Sequence, residues 1–145
     1  MPGFLPDTSC IISAVCGWQE HHNRAGEEIE RRLRRAETML LAAPALIEAY
    51  AVLTRLPPPH RLSSQDALAL LEANFMASGR IIALDGRSYR ALLRQAPRDD
   101  IAGGRTYDAV IAACALKSKG TALLTFNASD FLPFSRRGLR IVVPE

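Results

Sequence analysis

Apolar residues along the chain fall into two kinds of run. Short ones, GFLP at 3–6, MLLAA at 39–43, RIIAL at 80–84, ALLT at 122–125 and LRIVV at 139–143, have the length and composition of buried strands. Between them lie longer stretches with helical spacing. The pattern predicts helices over 8–16 (TSCIISAVC), about 20–35, 45–55 (ALIEAYAVLTR), from Ser63 or Ser64 through 66–75 (DALALLEANF), 88–94 and 106–119. Strands alternating with helices predict an α/β fold with a mostly parallel sheet.

Punctuation agrees with this reading. Pro44 suits a helical first turn, where its missing N–H is not needed, and Pro57, Pro58 and Pro59 end that helix. Ser63 or Ser64 is placed to cap the next one, and Gly120 to end the helix over 106–119. Residues 95–104 form a polar loop with the pair Gly103-Gly104. There is no internal repeat and no linker-like segment, so the 145 residues are expected to make one domain, 1–145.

Composition narrows the class. A hydrophobic share of 48% and a charged share of 23% suit a soluble globular chain. The start, MPGFLPDTSC, lacks the basic residues and apolar run of a signal peptide, and no window approaches the ~18 apolar residues of a membrane span. The expectation is a cytoplasmic protein with no membrane partner. Cys10, Cys16 and Cys114 form an odd set without CxxC spacing inside apolar stretches, which marks reduced core thiols. Net charge is +3 and the isoelectric point near 9.0, which suits a phosphate-bearing partner. Much of the arginine sits in 27–37, where Glu27 and Arg31, Glu28 and Arg32, and Glu30 and Arg34 are four apart. That spacing predicts a solvated, self-paired helix face. Arg136, Arg137 and Arg140 have no such acidic partners.

Four carboxylates carry the candidate chemistry. Ligands of open α/β sheets bind beyond the carboxyl ends of the strands. Asp7 follows GFLP, and the segment from Thr125 through Asn127 and Ser129 to Asp130 follows ALL. Asp7 also fits as a cap for the helix starting at Thr8, and Asp130 as a turn residue. Glu48 lies in a helix with almost no polar face, so its charge needs a cation, a donor or a route to water, with Arg55 as one possible partner. Asp108 stands in the first turn of the helix over 106–119, where the macrodipole favours it, and Gly103-Gly104 before it permits close approach. Together the acids occupy a strand end, a mid-helix position, a helix start and a second strand end. Carboxylates so gathered repel unless cations neutralise them, and oxygen-only ligands select Mg²⁺ or Mn²⁺, metals suited to phosphodiester hydrolysis. Thr8, Ser9, Thr125, Asn127 and Ser129 are candidate donors to orient the carboxylates.

These residues resemble the PIN-domain family, and within it the VapC-type toxins of bacterial toxin-antitoxin pairs. The likeness rests on Pro6-Asp7-Thr8-Ser9, on Leu46-Ile47-Glu48 with Leu53-Thr54-Arg55, on Tyr107-Asp108-Ala109-Val110-Ile111-Ala112-Ala113, and on Leu124-Thr125-Phe126-Asn127 with Asp130-Phe131. The resemblance implies a Rossmann-like three-layer domain with Asp7, Glu48, Asp108 and Asp130 as the catalytic quartet around Mg²⁺ or Mn²⁺. It further implies an endoribonuclease toxin acting on single-stranded RNA, a small antitoxin protein that inhibits it, and a homodimer. Pro6 departs mildly from expectation, because it withdraws a backbone donor where the first strand ends.

Two other functions fit parts of the pattern. An Asp-nucleophile phosphatase or phosphotransferase would use Asp7, but no second Asp lies two residues later, and Lys117 and Lys119 fall at a helix end. A catalytically degenerate PIN fold would bind RNA or protein without cutting, against which all four acids are present. Gly103-Gly104 and Lys119-Gly120-Thr121 match no nucleotide-binding loop, and His21, His22 and His60 have no metalloprotease spacing and are expected on the surface or in loops. The helix pair on either side of Leu56 to Leu62, with Leu68, Leu70, Leu71 and Phe75, offers more apolar surface than one small core covers, so part of it is a candidate dock for an antitoxin helix or a dimer mate, with ordinary core packing as the alternative for any single residue.

Overall fold

The computed structural model describes residues 2–145. Five parallel strands form one sheet in the order β3-β2-β1-β4-β5, with β1 at Gly3–Pro6, β2 at Thr38–Ala42, β3 at Arg80–Ile82, β4 at Ala122–Leu124 and β5 at Arg140–Val142. Phe4, Leu5, Leu123 and Leu124 are fully buried, which is why the central strands read as unbroken apolar runs rather than alternating ones. The edge strands β3 and β5 are more exposed and correspondingly less uniform. At Gly3 a Cβ would stand 3.3 Å from the Thr38 carbonyl oxygen, so glycine lets β1 and β2 close at their entry. Pro6 does not fray the first strand: it pairs with Leu124, and the next amide, that of Asp7, donates to the Leu124 carbonyl at 2.9 Å.

Helices flank the sheet. They are α1 at Thr8–Val15, α2 at His22–Arg34, α3 at Ala43–Arg55, α4 at Ser64–Leu71, α5 at Gly86–Gln95, α6 at Arg105–Leu116 and α7 at Ala128–Ser135. Ser63 caps α4 by accepting from the Asp66 amide at 3.1 Å, and Asp85 caps α5 in the same way through the Ser88 amide at 2.8 Å. No helix among the described residues is long and apolar enough to cross a membrane. All three cysteines are buried and free, in accord with reduced core thiols.

Several expectations need correction. Helix α6 stops at Leu116, before Gly120, which instead adopts φ +78° in the turn to β4. The α4 spiral passes into a π-helical turn at Glu72–Met76, a widening that leaves no periodic signature in the sequence. Leu71 and Phe75 on that segment belong to the core, leaving Leu68 as its well-exposed member. The charged helix α2 is not simply a solvated face. Glu28 and Arg32 are buried on it, joined at 2.6 Å, with Arg32 also reaching Glu37 at 2.9 Å and lying over the Phe4 ring. Arg31 pairs with Glu28 rather than Glu27, and only the Glu30–Arg34 pair is fully solvated.

Strand order sets where a ligand binds. The chain leaves β1 for β2 and β3 on one side, then returns to place β4 and β5 on the other. The switch falls between β1 and β4, and the crevice beyond their carboxyl ends is the expected ligand position of such a sheet.

Candidate active site

Asp7 stands at that crevice, 4% exposed, with three hydrogen bonds converging on its carboxylate. Its Oδ1 accepts from the Ser9 hydroxyl at 2.6 Å and from the Cys10 amide at 2.9 Å, and its Oδ2 accepts from the Thr125 hydroxyl at 2.6 Å. Asp7 is therefore the cap of α1, and its carboxylate is a fixed acceptor at the switch point. The donors are themselves held, for the Phe126 amide donates to Ser9 Oγ at 3.2 Å and the Asn127 amide donates to Thr125 Oγ1 at 2.9 Å. Burial pushes the Asp7 carboxyl upward against the opposing pull of the bonds from Ser9, Thr125 and Cys10.

The other three acids arrive on helices. Asp108 is in the first turn of α6, Glu48 is half-buried in mid-α3, and Asp130 is exposed. Asp130 does not sit at a strand end as the sequence suggested: it lies in the first turn of α7, where its carboxylate meets the positive end of that helix. Burial, followed by the charges of Asp130, Asp7 and Glu48, pushes the Asp108 carboxyl up to about 6, and Arg105 opposes this only weakly. The negative charge of each of the three other acids thus adds to the effect of burial at Asp108. Among the described residues no ion pair joins Glu48 to Arg55.

A hard divalent cation fits this donor set. The donors are oxygen-only, their mutual repulsion is only partly offset by Arg105 and by the hydrogen bonds to Asp7, and the Thr8 hydroxyl beside Asp7 is buried without a hydrogen-bond partner. Among the described residues no three His, Cys, Asp or Glu side chains close tightly enough to cage one ion. An open arrangement of this kind suits a Mg²⁺-like ion, which is held by one or two carboxylates and keeps several waters. Of the proposed orienting residues, Ser9 and Thr125 bond the Asp7 carboxylate directly, Asn127 acts through its amide on Thr125, and Thr8 bonds no carboxylate.

The family model described as PIN domain matches residues 4–135. The chain belongs to the PIN-domain family. It is similar to "Ribonuclease VapC40" of Mycobacterium tuberculosis, 39% identical over 120 residues that cover 83% of each chain. "Ribonuclease VapC27" of the same organism is 32% identical over 139 residues, 96% of this chain and 88% of that one. Among solved structures, DNA-bound VapBC from Salmonella typhimurium superposes with TM-score 0.67 at 21% identity, covering 99% of this chain and 98% of that one. The Sarcin-Ricin loop cleaving toxin VapC20 of Mycobacterium tuberculosis gives 0.66 at 17%, covering 94% and 96%. These likenesses in shape bear out the α/β PIN fold expected from the sequence.

Two features of this PIN domain have no counterpart in the sequence pattern. The His21 ring stacks on Phe126 with centroids 4.2 Å apart, placing a ring against the segment that orients Ser9 and Thr125. The second is a cleft of about 610 Å³ lined by Ile47, Glu48, Arg55, Tyr89 and Tyr107. Both join residues far apart in sequence, so no local pattern announces them.

Proposed function

We propose that this chain is a metal-dependent endoribonuclease toxin that cleaves single-stranded RNA, with Asp7, Glu48, Asp108 and Asp130 holding Mg²⁺ or Mn²⁺, and that a small antitoxin protein inhibits it. The observation that carries this reading is the buried Asp7 carboxylate, held by Ser9, Cys10 and Thr125 at the switch point of the sheet, with the charges of Asp7, Glu48 and Asp130 opposing ionisation of Asp108. Such repulsion is costly without a cation, and it is relieved when one binds. The relatives named as ribonucleases support RNA as substrate, and the VapBC assemblies among the neighbours support a protein inhibitor. The resemblance to this family also underlies our reading of the chain as a cytoplasmic homodimer.

The residues divide the work. Ser9, Thr125 and the Cys10 amide hold Asp7 in one orientation, so its outward lone pairs are fixed before any ligand arrives. Asp108 in the first turn of α6, Glu48 in mid-α3 and Asp130 in the first turn of α7 supply the other carboxylates of the proposed site. A bound divalent cation supplies a more acidic water and charge neutralisation at the scissile phosphate. The carboxylates would hold the cation, through which alone an anionic phosphodiester could approach so acidic a site.

The deciding experiment is cleavage of labelled RNAs by purified protein with Mg²⁺, with Mn²⁺ and with chelator, beside folded Asp7→Asn and Asp108→Asn variants. Cleavage that requires the metal and vanishes in both variants is the expected result. Failure to bind either ion defeats the nuclease reading and leaves a PIN fold that binds without cutting.

A further inference from the structure

We infer that the cleft between α3, α5 and α6 is a nucleobase subsite, in which Tyr107 and Tyr89 stack on a base of single-stranded RNA next to the scissile phosphodiester while Arg55 meets a neighbouring phosphate. The inference rests on the ribonuclease reading and extends it to where the substrate strand lies. The cleft adjoins the proposed site, because Glu48 lines it and Tyr107, also in its lining, directly precedes Asp108. A strand whose phosphate occupies that site must pass over the adjoining surface, and this cleft is what adjoins it.

The lining has the chemistry of single-strand recognition rather than of a finished core. Tyr107 is 65% exposed and Ile47 71%, so an aromatic face and an apolar face stand in solvent beside the proposed ligands. Bases of single-stranded RNA offer π-faces that stack on such rings without regard to sequence. Among the described residues, Arg55, which lines the cleft beside Glu48, takes part in no ion pair. An unpaired guanidinium in a cleft with two tyrosines complements a phosphate next to a stacked base. An apolar protein segment would leave Arg55 unanswered, which is why RNA is the occupant we assign.

The test uses the full chain and a short single-stranded RNA carrying 2-aminopurine, scanned position by position with an abasic nucleotide. Binding is read in the Asp108→Asn background with Mg²⁺, and cleavage in the otherwise unaltered chain. Tyr107→Ala is expected to weaken binding about tenfold and to raise KM with little change in kcat, whereas Tyr107→Phe stays near the parent. At one RNA position the abasic substitution should weaken binding equally and make Tyr107→Ala silent, an outcome that a purely structural role for Tyr107 does not give. RNA binding and cleavage both indifferent to Tyr107→Ala and Tyr89→Ala overturn the subsite alone. The subsite also falls if those variants instead weaken only capture of a protein inhibitor. Tyr107-dependent binding without any cleavage keeps the subsite and defeats the nuclease reading, and no RNA binding at all defeats both.

Discussion

The Thr125 hydroxyl donates to Asp7 Oδ2 at 2.6 Å, joining the ends of β4 and β1 across 118 positions of sequence. Thr125 is fully buried, and its oxygen accepts from the Asn127 amide at 2.9 Å, which directs its proton to the carboxylate. The bond sits at the topological switch point and fixes the acid on which the proposed site is built. Thr125→Val keeps the shape and removes the donor. It is expected to lower the metal-dependent cleavage rate at least about tenfold, as the loss of such supporting bonds commonly does, with Thr125→Ser retaining most of the rate. Cleavage kinetics with circular dichroism as a fold control check this; equal rates for Val and Ser would show that the bond is dispensable.

Raised carboxyls give the metal-free protein an unusual response to pH. The folded chain holds the Asp108 proton up to about 6, whereas a free carboxyl releases it near 3.8. Folding therefore takes up a proton between these values. The contribution of this group to stability is full below about pH 4 and is lost as pH rises through about 6. Burial of Asp7 acts in the same direction. With chelator present, Asp108→Asn is expected to flatten this decline and to gain on the order of 1 kcal/mol at pH 8, a figure reduced for the solvent screening of a partly exposed group. Urea unfolding at pH 5 and pH 8 measures it, and an unchanged pH slope in the variant refutes it.

The same electrostatics make ion binding and protonation compete. Mn²⁺ is expected to raise the melting temperature more at pH 8 than at pH 5, since below about 6 a proton occupies Asp108. Thermal melts across that range with and without the ion decide the matter. An Mn²⁺ shift that is equal at both pH values would remove Asp108 from the ligand set.

How much of the fold and site is legible in the sequence depends on the range of each interaction. β1 is legible with its observed bounds, because a strand buried on both faces is a continuous apolar run closed by a polar residue. The acids stand out because each lies where an element changes or where an apolar helix has no place for a charge. Helix α7 is hidden because it carries Pro133 inside it, and a proline there normally argues for a turn. Glu28 and Arg32 show the correct spacing, but their burial comes from packing on Phe4 and from a third partner, Glu37, beyond the helix end. Spacing alone does not separate a solvated pair from a buried one. Likewise Tyr89 and Tyr107 come to line one cleft with α3 residues only through the packing of α5 and α6.

That buried network has a consequence for stability. Burial alone would raise the Glu28 carboxyl, yet the bonds from Arg32 and Arg31 bring it below the usual value. Arg32→Ala removes the cation shared by Glu28 and Glu37 and leaves Glu28 only the more exposed Arg31, and a loss of about 3 kcal/mol is expected, in line with other broken buried pairs. Arg34→Ala, which breaks only the exposed 3.7 Å pair with Glu30, is expected to change stability by about 0.5 kcal/mol or less. Paired urea titrations of the two variants separate these cases, and similar losses would show that burial of Arg32 carries no special weight.

Asp130 differs from its three companions in exposure, and this predicts a graded response to amide substitution. Asp7 is buried and fixed by three donors, and the charges of the other three acids bear on Asp108, so Asp7→Asn and Asp108→Asn are expected to abolish measurable cleavage. Asp130 is exposed in the first turn of α7, where water already screens its charge and the helix N-terminus offsets it. It therefore contributes to the field at Asp108 while being poorly placed to confine an ion. Asp130→Asn is expected to reduce cleavage only about tenfold, an effect in the range of supporting residues rather than principal ligands, and to be partly restored by raising the Mg²⁺ concentration. Rates measured against Mg²⁺ for the three variants give the ranking directly, and a loss at Asp130 as complete as at Asp108, with no rescue, would place all four carboxylates on the ion.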